Sequence, residues 1–201
     1  MYNLNQIHLG IYKRIMSFKW KFRLSHFGNN SLIHKPLQII GGGGISIGSN
    51  VIIQYRSWLA AEPLTGAHDC RLEIHDSCII GHFNEIYATR SIIIEKDVLT
   101  ADRVYISDNL HGYEDIGTPI HRQPIVQNGD GVRIGEGSWL GVGVSVLGAN
   151  IGRHCVIGAN AVVTKDIPDY CVAAGIPARI IKRYDFDSRE WRKTTPDGHF
   201  K

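Results

Sequence analysis

The stretch IGEGSWLGVGVSVLGANIGRHCVIGANAVVTK, residues 134–165, decides the fold. An aliphatic residue recurs at every sixth position, first as Ile134, Leu140 and Val146, then as Ile151, Ile157 and Val163. Glycine follows it in Ile134-Gly135, Leu140-Gly141, Ile151-Gly152 and Ile157-Gly158, and a small or β-branched residue stands four places on at Ser138, Val144, Cys155 and Ala161. A period of six is neither that of a helix nor the alternation of a simple strand. Working outward, the same column runs through Ile47, Ile53 and Leu59, through Ile74, Ile80 and Ile86, and through Ile94, Thr100 and Ile106, accompanied by Val51, Ser57, Cys78, Val98 and Val104. Each hexad then forms one flat strand, its end turns a corner of roughly 120°, and three hexads close a coil whose neighbours stack about 4.8 Å away. One coil cannot bury its aliphatic column alone, so the coils must stack. The step from Val146 to Ile151 is five residues instead of six, which tightens one corner at Gly148-Ala149.

Two segments break the period, 65–73 and 109–131, the latter reading NLHGYEDIGTPIHRQPIVQNGDG. Long insertions in a regular solenoid are where function concentrates. Before the repeat, Leu4, Ile7, Ile11, Ile15, Phe18 and Phe22 recur at spacings of three and four, the stripe of an amphipathic helix. Asn29, Asn30 and Pro36 end it, and the glycines at 41–44 form a hinge. The reading divides the chain into an N-terminal helical cap (1–40), the repeat domain with its two insertions (41–170) and a C-terminal segment and tail (171–201).

The chain has 201 residues, 22 glycines against 7 prolines, and four cysteines (Cys70, Cys78, Cys155, Cys171) without CxxC or zinc-ligand spacing. With no signal-peptide layout at the start and no apolar run of about 18 residues, the expectation is a cytoplasmic protein with free thiols. Residues 1–61 lack Asp and Glu but carry Lys13, Arg14, Lys19, Lys21, Arg23, Lys35 and Arg56, so the remainder is net acidic. The preferred role for the basic leading segment is to cap the open end of the solenoid, and a weak peripheral contact with the inner face of the membrane is the second reading. Nucleic acid is not expected, because the basic residues are not interleaved with stacking aromatics.

The blocks ISDNLHGYE (106–114), IGEGSWLG (134–141), VIGANAVVTKDIP (156–168) and AAGIPARIIK (173–182) resemble the hexapeptide-repeat acyltransferases, in particular their sugar O-acetyltransferase branch. The resemblance covers residues 40–183 and implies an all-β fold, a left-handed parallel β-helix. It also implies a homotrimer, acetyl-CoA as co-substrate bound between subunits, and transfer of an acetyl group to a hydroxyl of a sugar or polysaccharide precursor. The family's motif before the long loop is approximately Asp-His-Asn-His; Asp108-Asn109-Leu110-His111 keeps its first and last positions. His111 is therefore the expected general base, since a neutral imidazole suits removal of a hydroxyl proton near neutral pH. Asp108 either orients that ring or starts a turn, and Asn84 either holds an acceptor hydroxyl or belongs to a corner ladder. The resemblance places the oxyanion donor at a backbone N–H near Gly141 and Val142, and the thioester arm at Trp139, which occupies an outward hexad position. Gly158, Ala159 and Asn160 would let the coenzyme lie against backbone, and Lys165, Arg179 and Lys182 are candidates for its phosphates.

Three other functions remain to be weighed. A γ-class carbonic anhydrase shares the coil, but His75, His82, His111, His121 and His154 offer no HxxxxH, and no metal is expected. An N-acyltransferase acting on an amino sugar or amino acid is the main alternative, and a non-catalytic scaffold a remote one.

Overall fold

The computed structural model describes residues 18–201. It is a parallel β-helix with three faces. The first carries His26–Phe27, Ile45–Ile47, Arg71–Ile74, Ser91–Ile94 and Val132–Ile134. The second carries Leu32–Ile33, Ile52–Ile53, Ile79–Ile80, Leu99–Thr100, Trp139–Leu140, Val156–Ile157 and Cys171–Ala174. The third carries Gln38–Ile40, Trp58–Ala61, Glu85–Ala88, Tyr105–Ser107, Ser145–Leu147 and Val162–Val163. The chain visits the faces in that order, and every neighbouring pair of strands on a face is parallel.

The column read from the sequence is the core. All fifteen residues from Ile47 to Val163 at the sixth positions are at most 1% exposed, and so are Val51, Ser57, Cys78, Val98, Val104, Ser138, Val144, Cys155 and Ala161. Register keeps like over like: Ile74 pairs with Ile94 and Ile94 with Ile134 on the first face, and Ile86 with Ile106 and Ile106 with Val146 on the third. Non-glycine residues with positive φ, such as Asn50, Ser77 and Asp97 at one corner and Arg56, Phe83 and Arg103 at the next, turn the chain between faces. The shortened corner needs glycine: Gly148 has φ +63°, and a Cβ there would lie 2.5 Å from the Asn128 carbonyl oxygen.

The solenoid begins earlier than the boundary at 41. Phe27, Ile33 and Ile39 repeat at six, and their strands pair with Ile45–Ile47, Ile52–Ile53 and Trp58–Ala61, making one more coil. The Asn-Asn and Pro signals that read as a helix end are corners of this coil, and the expected hinge is a tight turn at Gly42–Gly44 between its third strand and the next coil. The solenoid also extends past 170, because Cys171–Ala174 adds a further parallel strand before the chain reverses through Arg179–Asp185 and Glu190–Lys193.

Of the expected helix, residues 18–23 are described and are helical; Leu4, Ile7, Ile11 and Ile15 lie outside the described residues. The buried face is not the expected stripe. Phe18 and Phe22 are 68% and 76% exposed, whereas Trp20 and Leu24, one turn apart, are 3% and 7% exposed and join the core with Phe27. Two residues along a helix are about 200° apart, so burying Trp20 turns Phe18 and Phe22 outward. Among the described residues no helix is long and apolar enough to cross a membrane.

Candidate active site

The long insertion is an antiparallel hairpin, Asn109–His111 against Ile125–Gln127, that leaves the prism at the edge between the third and first faces. His111 ends the outgoing strand opposite Ile125, and its ring is exposed. The following turn is fixed by Gly112 N–H donating to the Pro124 carbonyl at 2.8 Å.

Asp108 does not orient that ring. Its side chain is fully buried, and Oδ1 accepts from Thr89 N–H (2.8 Å) and the Thr89 hydroxyl (3.0 Å), while Oδ2 accepts from Arg90 N–H and Ser91 N–H (2.8 Å each). Asn109 Nδ2 adds a donor at 3.2 Å. A carboxylate with this many N–H and O–H donors is a structural anchor, stapling the root of the hairpin to the turn of the coil beneath. Asn84 is likewise turned inward. It is fully buried; Nδ2 donates to the Ala101 and His82 carbonyls, and Oδ1 accepts from the Thr100 hydroxyl at 2.8 Å. Thr100, the one polar residue in the aliphatic column, is thereby explained, and both polar atoms of Asn84 are engaged inside the coil, away from the surface.

The second face presents an apolar row. Ile79 pairs with Leu99, Leu99 with Trp139, Trp139 with Val156 and Val156 with Val172, all pointing outward. Ile79, Leu99 and Trp139 are each between 41% and 48% exposed. Opposite Val172, across an antiparallel pair, stands Lys182, and opposite Ala174 stands Arg179. Trp139 to Lys182 is three strand spacings, about 14 Å. The structure thus aligns Trp139 with Lys182 and Arg179, while Lys165 lies beyond Val163 at the far edge of the third face. Gly141 and Val142, and one coil on Gly158, Ala159 and Asn160, line the corner beside this row, with Asn160 N–H bonded to the Val142 carbonyl at 2.8 Å. Space is tight there: a Cβ on Gly141 would meet the Ala159 nitrogen at 2.8 Å, so glycine keeps the corner flat. The Gly141 N–H is spent on the Ile157 carbonyl (2.8 Å), but the Val142 N–H takes part in none of the ladder bonds among the described residues.

Sequence reading missed the groups around the hairpin root, where Gln127 and Thr65 join Asp108 and Thr89. On the adjacent third face Trp58 stacks on Tyr87 with ring centroids 5.7 Å apart, and the Tyr87 hydroxyl donates to Glu62 at 3.0 Å. Burial and that bond push the Tyr87 phenol up to about 12, so it stays a donor. No group of three or more metal-ligating side chains occurs among the described residues.

A family model, the hexapeptide repeat of succinyl-transferase, matches residues 131–165. WbbJ of Escherichia coli, named as a candidate O-acetyl transferase of lipopolysaccharide biosynthesis, is 31% identical over 181 residues, covering 83% of this chain and 86% of WbbJ. Galactoside O-acetyltransferase of the same organism is 30% identical over 188 residues, covering 90% and 74% respectively. An acetyltransferase-like protein of Mycobacterium tuberculosis, Rv3034c, is 45% identical over 117 residues, and this chain spans only 38% of its length. Among solved structures, the N-acyltransferase AntD from Bacillus cereus, crystallised with dTDP and coenzyme A, superposes with a TM-score of 0.69 at 18% identity, covering 93% of this chain and 92% of AntD, which shows a shared fold. The chain belongs to the hexapeptide-repeat acyltransferases, in the acetyltransferase branch that contains WbbJ and galactoside O-acetyltransferase, and the left-handed β-helix is the fold of that class.

Proposed function

We propose that this protein transfers an acetyl group from acetyl-CoA to a hydroxyl of a sugar or polysaccharide precursor. The observation that carries the reading is the row on the second face, an exposed indole and aliphatic strip about 14 Å long that ends in two cations. An apolar arm with a phosphorylated end fits such a strip, with Lys182 and Arg179 toward the phosphates and the flat Gly141 corner beside Trp139 toward the acyl group. Acetyl-CoA supplies the acyl group as a thioester. His111 accepts the proton of the attacking hydroxyl as the ester C–O bond forms and returns it to the coenzyme A thiolate as the C–S bond breaks, a contribution of roughly a hundredfold to ten-thousandfold. The Val142 N–H, unspent in the ladder, is the backbone donor suited to the oxyanion.

His111 and Trp139 stand on different sides of the prism, the hairpin at the edge of the third and first faces and the row on the second. One chain turns them away from each other. A site made from the hairpin of one copy and the row of another resolves this, and three copies in a closed ring, the assembly that the family resemblance implies, give three such sites.

Labelled acetyl-CoA incubated with the protein and a panel of free sugars, nucleotide sugars and glycans tests the reading. Label released from the product by mild base or hydroxylamine identifies an ester and hence a hydroxyl acceptor. Base-stable label would identify an amide and overturn the oxygen assignment in favour of an amino sugar.

A further inference from the structure

Three exits from the solenoid lie one above another at the edge between the third and first faces: the insertion after Ala61, the turn at Thr89 and Arg90, and the hairpin that begins at Asn109. One side chain ties them together. Gln127, on the returning strand of the hairpin, donates from Nε2 to the Asp108 carbonyl at 2.7 Å. Its Oε1 faces two hydroxyls, Thr65 at 3.0 Å and Thr89 at 3.5 Å. The single Thr89 proton is directed to the Asp108 carboxylate, 3.0 Å away, and the single Thr65 proton has Gln127 at 3.0 Å as a nearer acceptor than the Thr89 carbonyl at 3.4 Å, so Thr65 is the effective donor to Gln127. Asn128 N–H, the next residue along, also donates to the Asp108 carbonyl at 2.8 Å. Asp108 thus anchors the hairpin root to the coil below it, and Gln127 latches the root to an insertion that comes from a coil lower still.

We propose that Gln127 is a positioning residue for His111 and that it makes the aim of His111 depend on Thr65. This rests on the reading of His111 as the general base. His111 is three residues from the root, a lever of about 10 Å, so a tilt of roughly 10° there moves the imidazole by about 1.7 Å. A displacement near 1 Å is enough to cost up to about a hundredfold in rate, while the fully buried core column of the solenoid is untouched. The latch therefore acts on catalysis with little effect on folding.

The test uses Thr65→Val, which keeps shape but removes the hydroxyl, Thr65→Ser, which restores it, and Gln127→Met. Thr65→Val and Gln127→Met are expected to lower kcat at least about tenfold while coenzyme A affinity and the melting temperature stay at wild-type values. Thr65→Ser is expected to retain kcat, and the double variant to be no slower than Gln127→Met. Hydrogen exchange gives a readout that needs no activity: the Gly112 and Asn128 amides should exchange faster in Thr65→Val, and amides of the core column should not. Wild-type kcat with unchanged Gly112 exchange in Thr65→Val would overturn the proposal, and so would a loss of kcat tracking a fall in melting temperature. Faster Gly112 exchange in a protein whose wild type acetylates no acceptor would instead overturn the catalytic reading of His111.

Discussion

Replacing Trp20 tests whether the leading segment caps the solenoid, and two opposing terms set the size of the effect. The indole is 3% exposed and packs with Leu24 and Phe27 against the first coil. Truncating a buried aromatic to alanine costs about 3–5 kcal/mol in lost transfer energy and cavity. Against that, the Trp20 Nε1 proton is buried with no partner among the described residues, and removing an unsatisfied donor returns about 1–3 kcal/mol. Packing wins, and Trp20→Ala is expected to lose about 2 kcal/mol, a fall of roughly 4–8 °C in melting temperature for a chain of this size. Trp20→Phe keeps most of the apolar area and drops the orphan donor, so it should melt within about 2 °C of wild type. Phe22→Ala, on the same helix but 76% exposed, should move the melting temperature by no more than about 2 °C. Scanning fluorimetry on the three variants measures this directly. Equal melting of Trp20→Ala and Phe22→Ala would refute capping through Trp20, and strong loss in Phe22→Ala would put the burial on the Phe18 and Phe22 stripe.

His111→Ala should lower kcat by roughly a hundredfold or more with coenzyme A affinity unchanged by calorimetry, and full activity would remove it as the base. Asn84→Ala should lower the melting temperature without a specific rise in acceptor KM, because its amide serves Thr100, Ala101 and His82 inside the coil. Burial raises the Cys78 and Cys155 thiols to about 12 and Cys70 to about 11, so all three are neutral at pH 8 and should react slowly with a thiol reagent until the protein is denatured. Intact protein should bind anionic vesicles weakly at most, and salt-sensitive flotation with them would give the exposed Phe18 and Phe22 face a membrane role.

The solenoid was legible because its physics repeats. A residue that must point inward at each flat side writes itself every six positions, and fifteen of fifteen such residues are buried. The first coil was hidden because Asn29-Asn30 and Lys35-Pro36 at its corners also serve as helix stops elsewhere, even though Phe27-Gly28 keeps the step of the repeat seen at Ile47-Gly48. The helix phase was misread because spacing alone cannot say which of two apolar faces, Phe18 and Phe22 or Trp20 and Leu24, meets the core. Within the site, His111 and Trp139 stood out by position in motif and hexad. Asp108 and Asn84 did not declare their roles, since a buried carboxylate held by backbone N–H groups and one poised beside a histidine are the same residue in sequence. Gln127 and Thr65 are 62 residues apart, and nothing in the local pattern joins them.

If His111 of one copy acts on an acyl group lying along the Trp139 row of another, mixed assembly restores activity that neither variant has. His111→Ala and Trp139→Ala, each strongly impaired alone, are denatured, mixed in equal amounts and refolded together. Random trimers then contain one intact site in every mixed assembly, and about a quarter of wild-type acetyl transfer is expected to return. Recovery no greater than the sum of the two separate variants would contradict it.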